Sequence, residues 1–176
     1  FDANVRDKMN DQGAKPFAHK YLMSHYQKLE NINRDLKRVP EIEEFFFLQT
    51  SKQFNAFTFI PFIIKHENIR ELYASTYSIS VRVVESLIEL YDQGLVEKIQ
   101  LLVSDSLIKR NPTTIDKIDS MARNRENVNL DFTWNHSKVT LAKTDNSHFI
   151  IEGSGNWSEN AAIEQYMFAN SKGLYE

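Results

Sequence analysis

Cysteine is absent from the 176 residues, which excludes disulfide frameworks, Cys-based zinc sites and thiol catalysis. Nothing ties such a chain to an oxidising compartment, so a cytoplasmic setting is expected. Long hydrophobic runs are missing as well. The longest apolar stretches, Phe45 to Leu48 and Phe57 to Ile64, fall far short of the roughly 18 residues a bilayer span needs, and no membrane partner is expected. Glycine and proline are scarce, at five and four residues, and no repeat, low-complexity tract or Pro/Gly-rich linker breaks the chain. A broad cationic surface is excluded by the formal net charge of -3. What is present, 41% hydrophobic and 26% charged residues, suits one globular domain with a real core.

Positive charge is nevertheless concentrated. Residues 98–143 hold Lys109, Arg110, Lys117, Arg123, Arg125, Lys138 and Lys143, where a phosphate-bearing ligand would find the most favourable potential. Within that stretch, Lys109 and Arg110 follow the Ser104-Asp105-Ser106 strand end. Open α/β sheets place ligands at such ends, so these two cations are candidates for holding a nucleic-acid backbone.

Apolar spacing gives the element plan. Leu22, Tyr26, Leu29, Ile32 and Leu36 step at helical intervals across residues 17–36, and Pro40 stops the pattern. The aromatic run Phe45 to Leu48 reads as a buried strand, and Phe54 to Ile64 is ambiguous between strand and helix. From residue 71 onward strand and helix alternate: strand 71–80, helix 81–91 ended by Gly94, strand 98–103, helix 113–125 opened by Asn111-Pro112, strand 128–134. This alternation predicts an α/β fold, with a mixed, largely parallel sheet and helices on both faces, preceded by an N-terminal helical extension. Two further strands, 138–143 and 148–152, flank the polar turn Thr144 to Ser147 and predict a hairpin.

That hairpin brings its two ends together, and the chemistry lies there. His136 and Lys138 alternate around Ser137, so both point to one face about 7 Å apart. A lysine supplies the fixed cation a phosphate needs, and an imidazole beside it can attack phosphorus. At the other end, Ser154 and Asn156 share a face across Gly155 and offer a hydroxyl and an amide to non-bridging oxygens. Gly153 and Gly155 permit close backbone approach.

His136-Ser137-Lys138, the hairpin and Gly153-Ser154-Gly155-Asn156 together resemble the phospholipase D-like superfamily, whose signature is HxK followed by a hairpin and GSxN. The resemblance extends to Glu71 to Ser80, similar to the family's first core strand, and to Ile163 to Met167, similar to its final strand. It covers about residues 54–170, so residues 1–53 are expected to form the helical extension and first strand, and 54–176 the phospholipase D-like domain. It implies His136 as nucleophile and acid, Lys138, Ser154 and Asn156 as the phosphate cradle, and Glu164 as the carboxylate that orients the histidine. Two departures stand out: Lys143 occupies the position where the family places Asp, with Asp145 two residues on, and the spacing to Glu164 is not standard.

One imidazole cannot attack phosphorus and protonate the leaving oxygen at once. His19, His25, His66 and His148 are not followed by a suitably spaced lysine, so the family pattern implies a homodimer that brings two copies of His136 together. Small single-motif members of the family are typically nucleases. The resemblance therefore implies a metal-independent phosphodiesterase acting through phosphohistidine on nucleic acid, expected to be DNA, with no metal and no cofactor. The rival reading is a catalytically inactive phospholipase D-like protein that binds nucleic acid or assembles with a partner. His66-Glu67 lacks the second histidine of HExxH, and Gly153-Ser154-Gly155 matches neither GxSxG nor GxGxxG. Trp134 and Trp157 flank the motif halves. Core packing and base stacking are both open to an indole there, and Trp157 is a substrate-binding candidate.

Overall fold

The computed structural model describes residues 28–51, 54–158 and 163–176. A first helix, α1, covers residues 28–35 and buries Leu29 and Ile32, and Leu36 is buried just past its end, the stripe its spacing predicts. The earlier part of that expected helix, with Leu22 and Tyr26, lies outside the described residues.

Among the described residues seven strands form one sheet in the order β1-β7-β6-β5-β2-β3-β4. They are β1 (Glu44–Ser51), β2 (Glu71–Thr76), β3 (Ile99–Ser104), β4 (Val128–Thr133), β5 (Val139–Lys143), β6 (His148–Gly153) and β7 (Ile163–Asn170). The mixed α/β class is the one the alternation predicts. Parallel pairing is confined to β2-β3-β4, where helices α3 (Val81–Asp92) and α5 (Pro112–Arg123) return the chain between strands. The other pairings are antiparallel, because the hairpin and β7 fold back without a crossover.

Both long helices begin as their sequences dictate. The Ser80 side chain caps α3 by accepting from the Val83 amide, and Asn111 does the same for Thr114 ahead of Pro112 at the first helical position. Gly94, at φ +71°, follows the end of α3 in the left-handed region that glycine enters without penalty.

The ambiguous stretch from Phe54 resolves into a capped helical unit. Asn55 and Thr58 form a reciprocal capping box around a short 3-10 turn, and α2 (Phe59–Ile64) follows. Its residues are apolar all round because all but the last are buried. Pro61 is tolerated within the first turn, where the amide it lacks has no intrahelical partner.

Phe45 to Leu48 do form a strand, but the expectation of a buried one is corrected. Among the described residues β1 is an edge strand paired only with β7. Phe46 and Leu48 pack inward, while Phe45 and Phe47 are 64% and 69% exposed on the alternate face. The period of two puts them on the side that the main helices leave open.

The register shows why. Leu72, Ala74, Ile99, Leu101, Val103, Val128, Ala142, Phe149, Ile151 and Phe168 share one sheet face, and α1, α2, α3 and α5 bury their apolar residues against it in one cluster. Among the described residues the opposite face carries only the short α6 (Lys172–Tyr175), where Tyr175 meets His148 edge-on at 5.1 Å. Helices thus lie on both faces, the four longer ones on one side and the short α6 on the other. No helix among them is long and apolar enough to cross a membrane.

Mixed strand direction has one consequence for function. The last residues of β2, β3, β4 and β6 and the first of β5 and β7 lie along the same border of the sheet. His136, Lys138, Ser154, Asn156 and Glu164 belong to that border or to the loops leaving it.

Candidate active site

The chain leaves β4 at Thr133 and enters β5 at Val139, and the segment between carries His136 and Lys138. Its path is fixed by Asn135. The Asn135 amide donates to Ser75 Oγ at 2.8 Å, and its carbonyl accepts from the Ser137 amide at 2.8 Å and from Ser137 Oγ at 2.7 Å. The Ser75 and Ser137 hydroxyls meet at 2.6 Å. With the odd-numbered side chains thus turned onto β2, the even-numbered His136 and Lys138 are left for ligand.

Lys138 Nζ donates to the His136 carbonyl at 3.0 Å and lies 3.4 Å from His136 Nδ1. The HxK pair is one unit, its ammonium on the Nδ1 side of an exposed ring. Another face of that ring is held by Tyr77, just past β2, with centroids 4.8 Å apart and planes at 53°. The Arg110 guanidinium sits 4.6 Å from the Tyr77 centroid, a cation–π contact. Arg110 is anchored on its own helix, α4 (Ser106–Arg110), by donating to Ser106 O and Oγ at 3.3 and 3.2 Å. The structure therefore brings Arg110 to the histidine through Tyr77, while Lys109 is exposed on the same helix.

GSxN joins this unit through the sheet. The Gly153 amide donates to Lys138 O at 3.3 Å, and the Ser154 amide donates to Gln165 O at 3.0 Å. A Cβ at Gly153 would lie 2.1 Å from Gln165 O and 2.6 Å from Tyr166 Cδ1, so only glycine lets β7 close this tightly. Ser154 Oγ accepts from the Gln165 amide at 3.1 Å and donates to Glu164 Oε2. Glu164 is thus in the cluster, but its partner within one chain is the serine hydroxyl, and His136 Nδ1 faces Lys138 instead. Asn156 is half-buried, and its Oδ1 is buried without a hydrogen-bond donor among the described residues.

Trp157 requires a correction. Its indole is 1% exposed and packs edge-on against Phe57 at 5.6 Å; Nε1 donates to Thr140 Oγ1 at 3.1 Å, and its backbone amide donates to Thr76 Oγ1 at 3.2 Å. A side chain with both faces and its only donor occupied has nothing to offer a substrate. Its work is to tie the chain after GSxN to the end of β2. Trp134, the other flanking indole, is 84% exposed.

Tyr77, Asn135 and Ser75 were not legible as site residues. The available signal was positional: Tyr77 lies one step past a strand end, and Asn135 has the parity opposite to the histidine. Among the described residues, no group of three or more His, Asp or Glu side chains is arranged to hold a metal ion.

No protein-family model and no curated protein matches the sequence. Solved structures do match in shape. Nuc from Salmonella typhimurium, a phospholipase D family member, superposes with a TM-score of 0.55 at 15% identity, over 75% of this chain and 88% of its own. The chain has a phospholipase D-like fold. Polyphosphate kinase from Porphyromonas gingivalis superposes over 72% of this chain with a TM-score of 0.53 at 10% identity, and the match spans 23% of that larger protein. At these identities the phospholipase D-like likeness is one of fold, and the case for function rests on the site.

Proposed function

We propose that this protein is a metal-independent phosphodiesterase that cleaves nucleic acid, DNA in the first instance, in the cytoplasm, at a site shared by two copies of the chain. The observation that carries the reading is the joining of His136 to Lys138 beside Ser154, at one end of a phospholipase D-like sheet.

In this mechanism Lys138 neutralises a non-bridging oxygen, and Asn156 and Ser154 supply further contacts. His136 Nε2 attacks phosphorus, a P–N bond forms, and the bond to the leaving oxygen breaks. The partner copy's imidazole, protonated, delivers its proton to that oxygen. It then removes a proton from water, which attacks phosphorus and releases His136. For Nε2 to attack, the neutral imidazole carries its proton on Nδ1, so the Lys138 ammonium leaves its place beside Nδ1 for the phosphate oxygen it neutralises. Glu164 controls the Ser154 hydroxyl: while it accepts that proton, Ser154 offers lone pairs only, and phosphate must displace the contact to recruit the hydroxyl as a donor.

The test uses labelled single-stranded DNA in excess chelator, with wild-type protein mixed and subunit-exchanged with His136→Ala. Cleavage is expected to persist in chelator and to vanish in the pure variant. If each site draws one imidazole from each chain, an equal mixture retains about a quarter of the activity; independent protomers would retain about half. An oligonucleotide that is bound but left intact by the wild type would support the inactive binding protein instead.

A further inference from the structure

The two tryptophans meet opposite fates, and the exposed one has no structural employment. Trp157 is buried and bonded, whereas Trp134 is 84% exposed and neither ring contacts nor hydrogen bonds engage its indole among the described residues. Its mount is rigid all the same. Thr133 O, just before it, accepts from the Asp105 amide at 2.9 Å, and Asn135, just after it, is clamped to Ser75 and Ser137. A fixed backbone holds a large flat ring in water two residues from His136, with the same parity and so within about 7 Å along the chain.

Its surroundings are polar. Thr133, His136 and Ser137 are exposed, and Arg110 and Lys138 supply positive charge at the histidine. Of the other exposed large hydrophobics, Phe45 and Phe47 lie on the edge strand β1, Ile108 is on α4 two residues before Arg110, and Ile163 precedes Glu164 at the start of β7. The groups that flank the ring along the chain and at the histidine are polar or cationic. This arrangement matches the pairing of aromatic platform and cationic track by which single-stranded nucleic acid is held.

We propose that Trp134 stacks an unpaired nucleobase next to the phosphate gripped by His136 and Lys138, so that the substrate is single-stranded at the cut. This rests on the phosphodiesterase reading and adds to it the class of strand. Bases inside a duplex are stacked on their neighbours and present no face to the ring.

Because Trp157 is sealed, tryptophan emission is a direct probe of Trp134. The His136→Ala protein is titrated with single-stranded DNA, and binding is followed independently by the anisotropy of a label on the DNA. The expected result is quenching that saturates with the anisotropy curve, absent with duplex of the same sequence. Trp134→Ala abolishes the quenching and weakens binding by about 5- to 150-fold, and Trp134→Phe restores most of the affinity. Binding without quenching, equal quenching by duplex, or unchanged affinity in Trp134→Ala overturns the stacking proposal and leaves the phosphodiesterase reading standing. Emission that changes with protein concentration before any DNA is added overturns it in favour of a second copy covering the ring. An anisotropy that never rises counts against the nucleic-acid reading itself.

Discussion

Gly153→Ala tests whether the sheet and the site are the same object. The added methyl would sit 2.1 Å from Gln165 O and 2.6 Å from Tyr166 Cδ1, more than an ångström inside contact with a backbone atom that cannot rotate away. β6 and β7 must then part at the border where Ser154 hangs. Parting threatens the Ser154 amide bond to Gln165 O at 3.0 Å, the Gln165 amide bond to Ser154 Oγ at 3.1 Å and the Gly153 amide bond to Lys138 O at 3.3 Å. Each is worth about 0.5–1.5 kcal/mol net, and overpacking alone typically costs about 1–3 kcal/mol. A loss of about 2–4 kcal/mol is expected, which in a chain of this size lowers Tm by about 5–15 °C. Cleavage should fall as well, because Ser154 and Glu164 move off the line of Lys138. Gly94→Ala is the control: it lies at φ +71° with open space around the missing Cβ, so it pays conformational strain of about 1–2 kcal/mol and leaves activity untouched. Thermal denaturation and oligonucleotide cleavage on both variants decide the matter. A Gly153→Ala protein within about 0.5 kcal/mol of wild type and fully active would refute the claim that this close approach builds the site.

Thr140→Val removes the acceptor of the buried Trp157 Nε1–H at 3.1 Å and should cost about 1–3 kcal/mol in urea unfolding, with little change in the shape of the residue. Tyr77→Leu should lower kcat about 10- to 100-fold with KM nearly unchanged, and Tyr77→Phe should restore it, because the ring against His136 does the positioning. Glu44 accepts from Arg38 at 2.5 and 2.9 Å and from the Glu41 amide at 2.8 Å, which holds its carboxyl down at about 2 against an ordinary 4.5. A depressed carboxyl contributes stability above its unfolded pKa and loses it as pH falls through the folded one. The Tm difference between wild type and Glu44→Gln, present at pH 6, should therefore close between about pH 4.5 and 2.

Local signals and long-range ones fared differently. The hairpin was readable because its turn, strands and alternation are contiguous. Thr144 to Ser147 close the turn through the Thr144 amide and Ser147 O at 3.0 Å, and the register from Val139–Glu152 to Lys143–His148 follows from that turn alone. The convergence of HxK and GSxN follows in turn, since Lys138 and Gly153 are the next residues along the same ladder. The burial of β1 is not legible locally because it depends on which strand β1 finds, and its partner β7 lies more than a hundred residues away. The two tryptophans could not be sorted by spacing for the same reason. Trp157 is sealed by an isolated bridge between Ile79 and Trp157 and by Thr140 and Thr76, all set by tertiary contact, whereas the loop bearing Trp134 leaves it in water.

The departure at Lys143 can be judged by place. Five residues along a strand is about 16 Å, so that position lies at the opposite border of the sheet from Lys138 and cannot touch a phosphate held there. Lys143 Nζ instead meets Glu71 Oε1 at 3.1 Å, and the Glu71 carboxyl is held below its ordinary range by the Tyr73 hydroxyl first and by Lys143 next. Asp145, displaced by two residues, accepts from Arg70 Nε and Nη2 at 2.8 and 2.9 Å, and that guanidinium lowers its pKa. Both pairs fasten the hairpin turn to the start of β2. Fastening there preserves the register that sets Lys138 opposite Gly153, and a slip of one residue would turn His136 and Lys138 to the other face of the sheet. The altered position therefore bears on how the hairpin is anchored, and the groups proposed to meet phosphorus are untouched by it.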